Sequence, residues 1–147
     1  MNKHVAALAT VLALLIVLYT SQCTPSDPKF QQYFVEGQQL YITHCSNCHQ
    51  RNGSGLRLVY PPLAGSDYME KNFGKVICGM KYGMKNEITV NGNSYHQRMP
   101  GVASLTELEL AEIATYIYNS WDHQRGLVDV KEMGVLLDSC KAGSGTR

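Results

Sequence analysis

Cys45-Ser46-Asn47-Cys48-His49 decides the reading of this chain. Two cysteines spaced by two residues and followed at once by histidine form the attachment signature of a c-type haem. At this spacing two thiols can add across the two vinyl groups of one porphyrin. The neighbouring imidazole can then serve as the proximal iron ligand. The rival readings need surroundings that this sequence does not offer. A redox-active C-x-x-C belongs between a strand and a helix, whereas the residues before Cys45 have helical spacing. A structural zinc site needs two further ligands at suitable spacing, and Cys78 and Cys140 stand in no second pair. One motif in a short chain predicts one covalently bound haem.

The residues upstream point to export. Lys3 and His4 precede an apolar run at residues 5–19, interrupted only by Thr10. The run is short against the ~20 residues that span a bilayer and suits a signal-peptide core. Residues 1–22 are therefore expected to be a signal peptide or a retained N-terminal membrane anchor. Thr20-Ser21-Gln22-Cys23 offers a lipoprotein cleavage site, although Gln22 stands where a small residue is usual. Export suits the haem motif, because bacterial c-type haem is attached outside the cytoplasm, where disulfides also persist. The expected location is the periplasm or the outer face of the cytoplasmic membrane, free or held through Cys23 or the apolar segment.

Charge excludes one class of partner. The 147 residues carry 13 Lys and Arg against 12 Asp and Glu. Lys3 is the only one of these before Cys23, so the remainder balances at 12 and 12. No basic tract is available for nucleic acid.

Downstream, Asp27-Pro28 reads as N-cap and first helical position. Phe30, Phe34, Gly37 and Tyr41 then line one face of a helix leading into Cys45. Gly37 lowers helix propensity, which argues for a close helix crossing there. Gly53-Ser54-Gly55 closes the haem-binding turn. Tyr60-Pro61-Pro62-Leu63-Ala64-Gly65 cannot be regular helix. Ser66 or Asp67 can cap a short helix, and Phe73, Val76, Ile77 and Met80 mark another ending near Gly83. Asn91-Gly92 signals a hairpin. Thr106 and Glu109 have capping-box spacing ahead of Leu110, Ile113, Ala114 and Ile117, with Tyr116 and Trp121 adding aromatic area. Residues 130–137 can form a short helix, and Gly143-Ser144-Gly145 reads as a disordered end.

An electron-transfer iron wants a sixth ligand, commonly a methionine, whose thioether favours ferrous iron. Met99 is the leading candidate, because Met99-Pro100-Gly101 is a stiffened loop just before the last main helix. Met84 is the sulfur alternative and His96 the nitrogen alternative. Met69, Met133 and Met80 read as core, and His44 as a surface residue, while His123 lies just past the last main helix.

In combination these motifs resemble the class I cytochromes c, and are similar to small exported cytochrome subunits of bacterial respiratory complexes. The matching pieces are Gly37-x-x-x-Tyr41, Cys45-x-x-Cys48-His49, residues 60–65, Val90-Asn91-Gly92-x-x-Tyr95-x-x-x-Met99-Pro100, and Leu105-Thr106 through Trp121. They cover about residues 30–121. The resemblance implies an all-α cytochrome c-like fold at residues 28–121, with crossed N- and C-terminal helices around one haem c. It implies that Tyr41 packs on Ile113 and Tyr116, and that the Pro61 carbonyl, or failing it Pro62, accepts a hydrogen bond from His49 Nδ1. Metal ligands would be His49 and Met99. The expected function is a non-enzymatic one-electron carrier or relay. Its redox partner would be a membrane oxidase, a quinol-oxidising complex or an exported dehydrogenase or reductase. The alternative is a haem enzyme or gas-binding sensor with an open sixth position. Residues 122–147 lie outside the resemblance. Cys78 and Cys140 are an even remainder in an exported chain, which reads as one disulfide tethering this extension beside the helix at residues 73–80.

Overall fold

Asp27 starts helix α1 (Pro28–His44) as expected, its side chain accepting from the Lys29 amide at 2.9 Å with Pro28 in the first turn. The computed structural model describes residues 27–144 together with residues 3, 8 and 10–13. The expectations for Cys23, Gln22 and most of the apolar run lie outside the described residues. No helix among those described is long and apolar enough to cross a membrane.

The buried stripe of α1 is Tyr33, Gly37 and Tyr41, each one helical turn from the next. Phe34 packs at its edge, and Tyr33 was absent from the anticipated face. A single turn, α2 (Ser46–His49), follows at once. Ser66 caps α3 (Asp67–Lys71) by accepting from the Met69 amide, and α4 (Phe73–Tyr82) ends at Gly83. Strands β1 (Ile88–Val90) and β2 (Asn93–Tyr95) form an antiparallel hairpin with Ile88 opposite Tyr95. Its turn places Asn91 and Gly92 at φ 49° and 79°, the pair of positive angles that a two-residue hairpin needs. Helix α5 (Glu107–Ile117) opens with the full Thr106–Glu109 capping box. The architecture is all-α with one small hairpin.

Helices α1 and α5 cross at Gly37. A Cβ placed there would lie 2.0 Å from the Glu112 carbonyl oxygen and 3.0 Å from Tyr116 Cβ. The missing side chain lets two backbones touch. Around the crossing, the Tyr116 ring packs on Phe34 and Tyr41 at centroid distances of 5.2 and 5.4 Å. Leu110, Ile113 and Ile117 complete a core buried to 3 % exposure or less.

Two expectations are corrected past this point. The last main helix ends at Ile117, so Trp121 lies in a turn beyond it, at φ 51°. The final helix α6 (Val130–Ser144) is longer than residues 130–137 and takes in Gly143 and Ser144, which read as a frayed end. Its anchors explain the length. Val128, Met133 and Leu137 are buried, and Cys140 is bonded to Cys78 of α4 with Cα atoms 5.6 Å apart. Residues 145–147 lie outside the described part.

Gly37→Ala is expected to destabilise the protein although alanine favours helix by about 1 kcal/mol. Forcing the helices apart should cost about 1–3 kcal/mol or more. A lowered thermal midpoint of the haem-loaded protein, followed by circular dichroism, checks this.

Candidate haem-binding site

Helix α1 delivers the cysteine motif without a break. The Cys45 amide donates to the Tyr41 carbonyl at 2.9 Å, and the His49 amide to the Cys45 carbonyl at 3.0 Å. Cys45 and Cys48 are unbridged and half-buried. Burial, with Cys48 adding to it, pushes the Cys45 thiol up to about 11, which keeps it protonated near neutral pH. The Tyr41 hydroxyl donates to the Gln50 carbonyl at 2.6 Å and fixes the far end of the turn.

His49 is buried, with Nδ1 3.0 Å from the Pro61 carbonyl oxygen. A carbonyl only accepts, so Nδ1 carries the proton and Nε2 keeps its lone pair. Burial holds this imidazole below its usual range, opposed by the bond to Pro61. The ring is thus a neutral, oriented donor, the state a metal ligand must have. Pro62 lines the adjoining space, but its carbonyl is not the acceptor.

Three cavities share walls beside the motif. The largest is lined by Tyr41, Cys45, His49, Leu63, Ile113 and Ile117 among others, with Ser66 its one small hydroxyl. His49 and Met99 line all three. Met84 lines two and Met80 a different two. An apolar space flanked by two free thiols and one neutral imidazole fits a covalently held haem. Charged groups would be costly there.

The Met99 loop is strapped to the end of α4. Met99 and Met84 exchange both backbone hydrogen bonds, at 3.0 and 2.9 Å, and the Val102 amide donates to the Met80 carbonyl at 2.9 Å. His96 is elsewhere: its side chain is 72 % exposed, 3.6 Å from Glu87, and it lines none of the three cavities. His44 is exposed at the rim. His123, unassigned from sequence, is buried with Nε2 2.9 Å from the Leu63 carbonyl oxygen. Trp121 covers Gly53, where a Cβ would fall 2.7 Å from the indole ring. A lone histidine and a lone glycine carry no periodic signal, so neither role was legible.

A family model described as cytochrome c matches residues 34–121. Cytochrome c-552 of Thermus thermophilus is 33 % identical over 90 residues, covering 58 % of this chain and 68 % of that protein. A second cytochrome c-552, from a particular strain of the same species, matches at the same identity over 60 % of its length. The cytochrome c subunit of the quinone alcohol dehydrogenase of Gluconacetobacter polyoxogenes is 27 % identical over 108 residues, 71 % of this chain but 23 % of that subunit. With the helix crossing, the motif and the apolar cavity already in place, the chain belongs to the cytochrome c family: it has the all-α cytochrome c-like fold and is an electron-transfer protein with a covalently bound c-type haem.

Proposed function

We propose that this cytochrome is a one-electron carrier or relay of an exported redox chain, with haem thioethers at Cys45 and Cys48 and axial ligation by His49 and Met99. The observation that carries the ligand set is that Met99 alone among the described methionines shares all three cavities with His49. Bound haem supplies an iron that alternates between ferric and ferrous. The chain's residues do the rest. Pro61 holds the His49 ring, Met99 fills the sixth position with a soft sulfur, and the apolar walls keep water out. If His49 and Met99 both hold the iron, no position would be open to a substrate, which favours a carrier over an enzyme or gas sensor.

Export through residues 1–22 would leave it in the periplasm, free, or on the outer face of the cytoplasmic membrane, held by lipidation at Cys23 or by retention of the apolar segment. Membrane oxidases, quinol-oxidising complexes and exported dehydrogenases or reductases are the matching partner classes. The likeness to a subunit of a quinone alcohol dehydrogenase supports the dehydrogenase class.

Charge placement supports docking at the mouth of the site. No Asp or Glu occurs between Glu36 and Asp67, or between Glu87 and Glu107. These stretches supply Cys45, Cys48, His49, Pro61 and Met99. They carry exposed Arg51, Arg57 and Arg98 beside a turn with exposed Leu56, Leu58 and Val59. A chain of balanced total charge thus carries exposed cations and apolar side chains, without acids, in the stretches that build the site, and we infer that these form a face that steers an acidic-rimmed partner.

Cys45→Ala and Cys48→Ala should each impair covalent haem retention, read as haem released by acid–acetone extraction. Wild-type protein that gives up all its haem would contradict covalent attachment. Met99→His should keep six-coordinate iron and lower the midpoint potential by on the order of 0.1 V or more, within the ~0.8 V range that axial ligands span. In Met99→Ala the sulfur–iron charge-transfer band of the ferric spectrum should vanish. An unchanged band would move the ligand to Met84 or Met80, and a wild-type protein without the band that binds carbon monoxide rapidly would support the enzyme or sensor reading. Oxidation of the ferrous protein by hexacyanoferrate(III), an anion, should slow severalfold as salt rises from about 10 to 500 mM, because screening shortens the Debye length. In R51E/R57E/R98E the dependence should reverse, whereas a salt-independent wild-type rate would remove the cationic docking face.

A further inference from the structure

We propose that His123, in the turn at residues 120–123, is a positioning residue that sets the strength of the His49–Pro61 hydrogen bond. The inference rests on His49 as an iron ligand and concerns residues just past the family match, which ends at 121.

The turn has an unusual backbone. Trp121 and Asp122 stand at φ 51° and 77°, in the left-handed region that non-glycine residues rarely occupy. Two such residues in succession reverse the chain after α5 and aim two side chains at one loop. The Trp121 indole lies over Gly53 and beside Tyr41, ring centroids 5.4 Å apart. His123 turns inward, 7 % exposed, with Nε2 2.9 Å from the Leu63 carbonyl oxygen. That oxygen can only accept, so Nε2 carries the proton and donates.

Leu63 lies two residues from Pro61, whose carbonyl receives His49 Nδ1–H at 3.0 Å. The same loop is tied from its other side. The Leu63 and Ala64 amides donate to the Gly53 carbonyl at 2.8 and 3.0 Å, and Gly53 is the residue that Trp121 covers. Trp121 and His123 therefore grip both strands of the loop that presents the Pro61 oxygen. His123 lines none of the three cavities and acts only through Leu63. Its other face meets Glu70 Oε1 at 3.9 Å from Nδ1, and the Tyr118 ring lies beside it.

The consequence is electronic. A firmly held acceptor draws the Nδ1 proton of the ligand, raises the donor strength of Nε2 and favours ferric iron. Loosening the loop weakens that bond and favours ferrous iron. His123 therefore holds the midpoint potential down.

The test uses the haem-loaded full chain with His123→Gln, His123→Asn and His123→Leu. Glutamine places an amide donor near the position of Nε2, asparagine falls short of Leu63, and leucine cannot donate. The midpoint potential and the His49 Nδ1 proton resonance of the diamagnetic ferrous protein are read together with the thermal midpoint. The expected result is an upward shift in potential and an upfield-shifted Nδ1 proton in the Asn and Leu variants, with Gln close to wild type. If the Leu variant fails to mature, the Asn and Gln variants decide. Loss of thermal stability with unchanged potential and proton shift would make His123 merely structural and overturn the proposal. A Gln variant displaced as far as Asn would do the same. Absence of ring-current-shifted His49 imidazole protons in the ferrous wild type would remove the ligand reading itself, and this inference with it.

Discussion

Everything at the haem site depends on two backbones being allowed to touch. Where Gly37 meets the Glu112 carbonyl there is no room for a methyl group, and interhelical separation is usually 8–10 Å because side chains hold backbones apart. Removing one side chain brings α1 against α5. The ring cluster of Phe34, Tyr41, Tyr116 and Trp121 then sets the rotation of α1 about its own axis. Because α1 runs straight into Cys45, its placement also places Cys48 and His49. The Tyr41 ring faces the crossing while its hydroxyl holds Gln50. One residue thus transmits the helix packing into the geometry of the cysteine turn.

The opposite wall is built by a different device. Met84 and Met99 belong to a two-residue bridge, not to a helix, and α4 supports it through Gly79, Gly83 and the Met80 carbonyl. At Gly79 a Cβ would lie 2.7 Å from the Met84 sulfur. The sulfur of Met84 is therefore seated against α4, whereas Met99 reaches every part of the space that His49 borders. Methionine adapts to irregular gaps, so four of them around one cavity need an extra rule to tell ligand from wall. The seating of Met84 against Gly79 supports it: the bridge sets Met84 and Met99 opposite each other, but only Met99 borders all three cavities beside His49. The Cys78–Cys140 bond secures the outer side of α4 to α6, so the wall that carries these residues is braced from behind.

The parts legible in the sequence were those whose chemistry is local. A cap needs Asp27 or Thr106 beside its own amides, a hairpin turn needs Asn91-Gly92, and the haem motif is five consecutive residues. Gly37 was readable because a glycine on an apolar helical face has few other reasons to be there. What failed to show was set by residues far apart in the chain. Tyr33 is buried in a core built from residues far apart in the chain. The fraying expected at Gly143 was overruled by burial of Met133 and Leu137 and by the cross-link at Cys140. The end of α5 at Ile117 came from long-range packing of Trp121 on Gly53, which offsets two unfavourable backbone angles of the kind that cost roughly 1–3 kcal/mol each. His123 belongs with these: its role exists only through a carbonyl sixty residues away in sequence.

Total charge is the measure that says least about this molecule. Twelve acidic and twelve basic residues after position 22 sum to no net charge, yet the acids avoid both stretches that build the haem site. The separation allows two electrostatic tasks to be met without conflict. Inside, a neutral His49, the proposed Met99 sulfur and apolar walls would make the iron's potential a matter of short-range donors, little affected by salt. Outside, in the proposed docking, Arg51, Arg57 and Arg98 would act through solvent over roughly a Debye length of 8–10 Å, which is enough to orient a partner and too weak to hold it. A carrier must release what it meets. The apolar turn at Leu56–Val59 between those cations adds a small dehydrated contact rather than a large one, so encounter, transfer and departure can be governed by the rim while the interior keeps the potential constant.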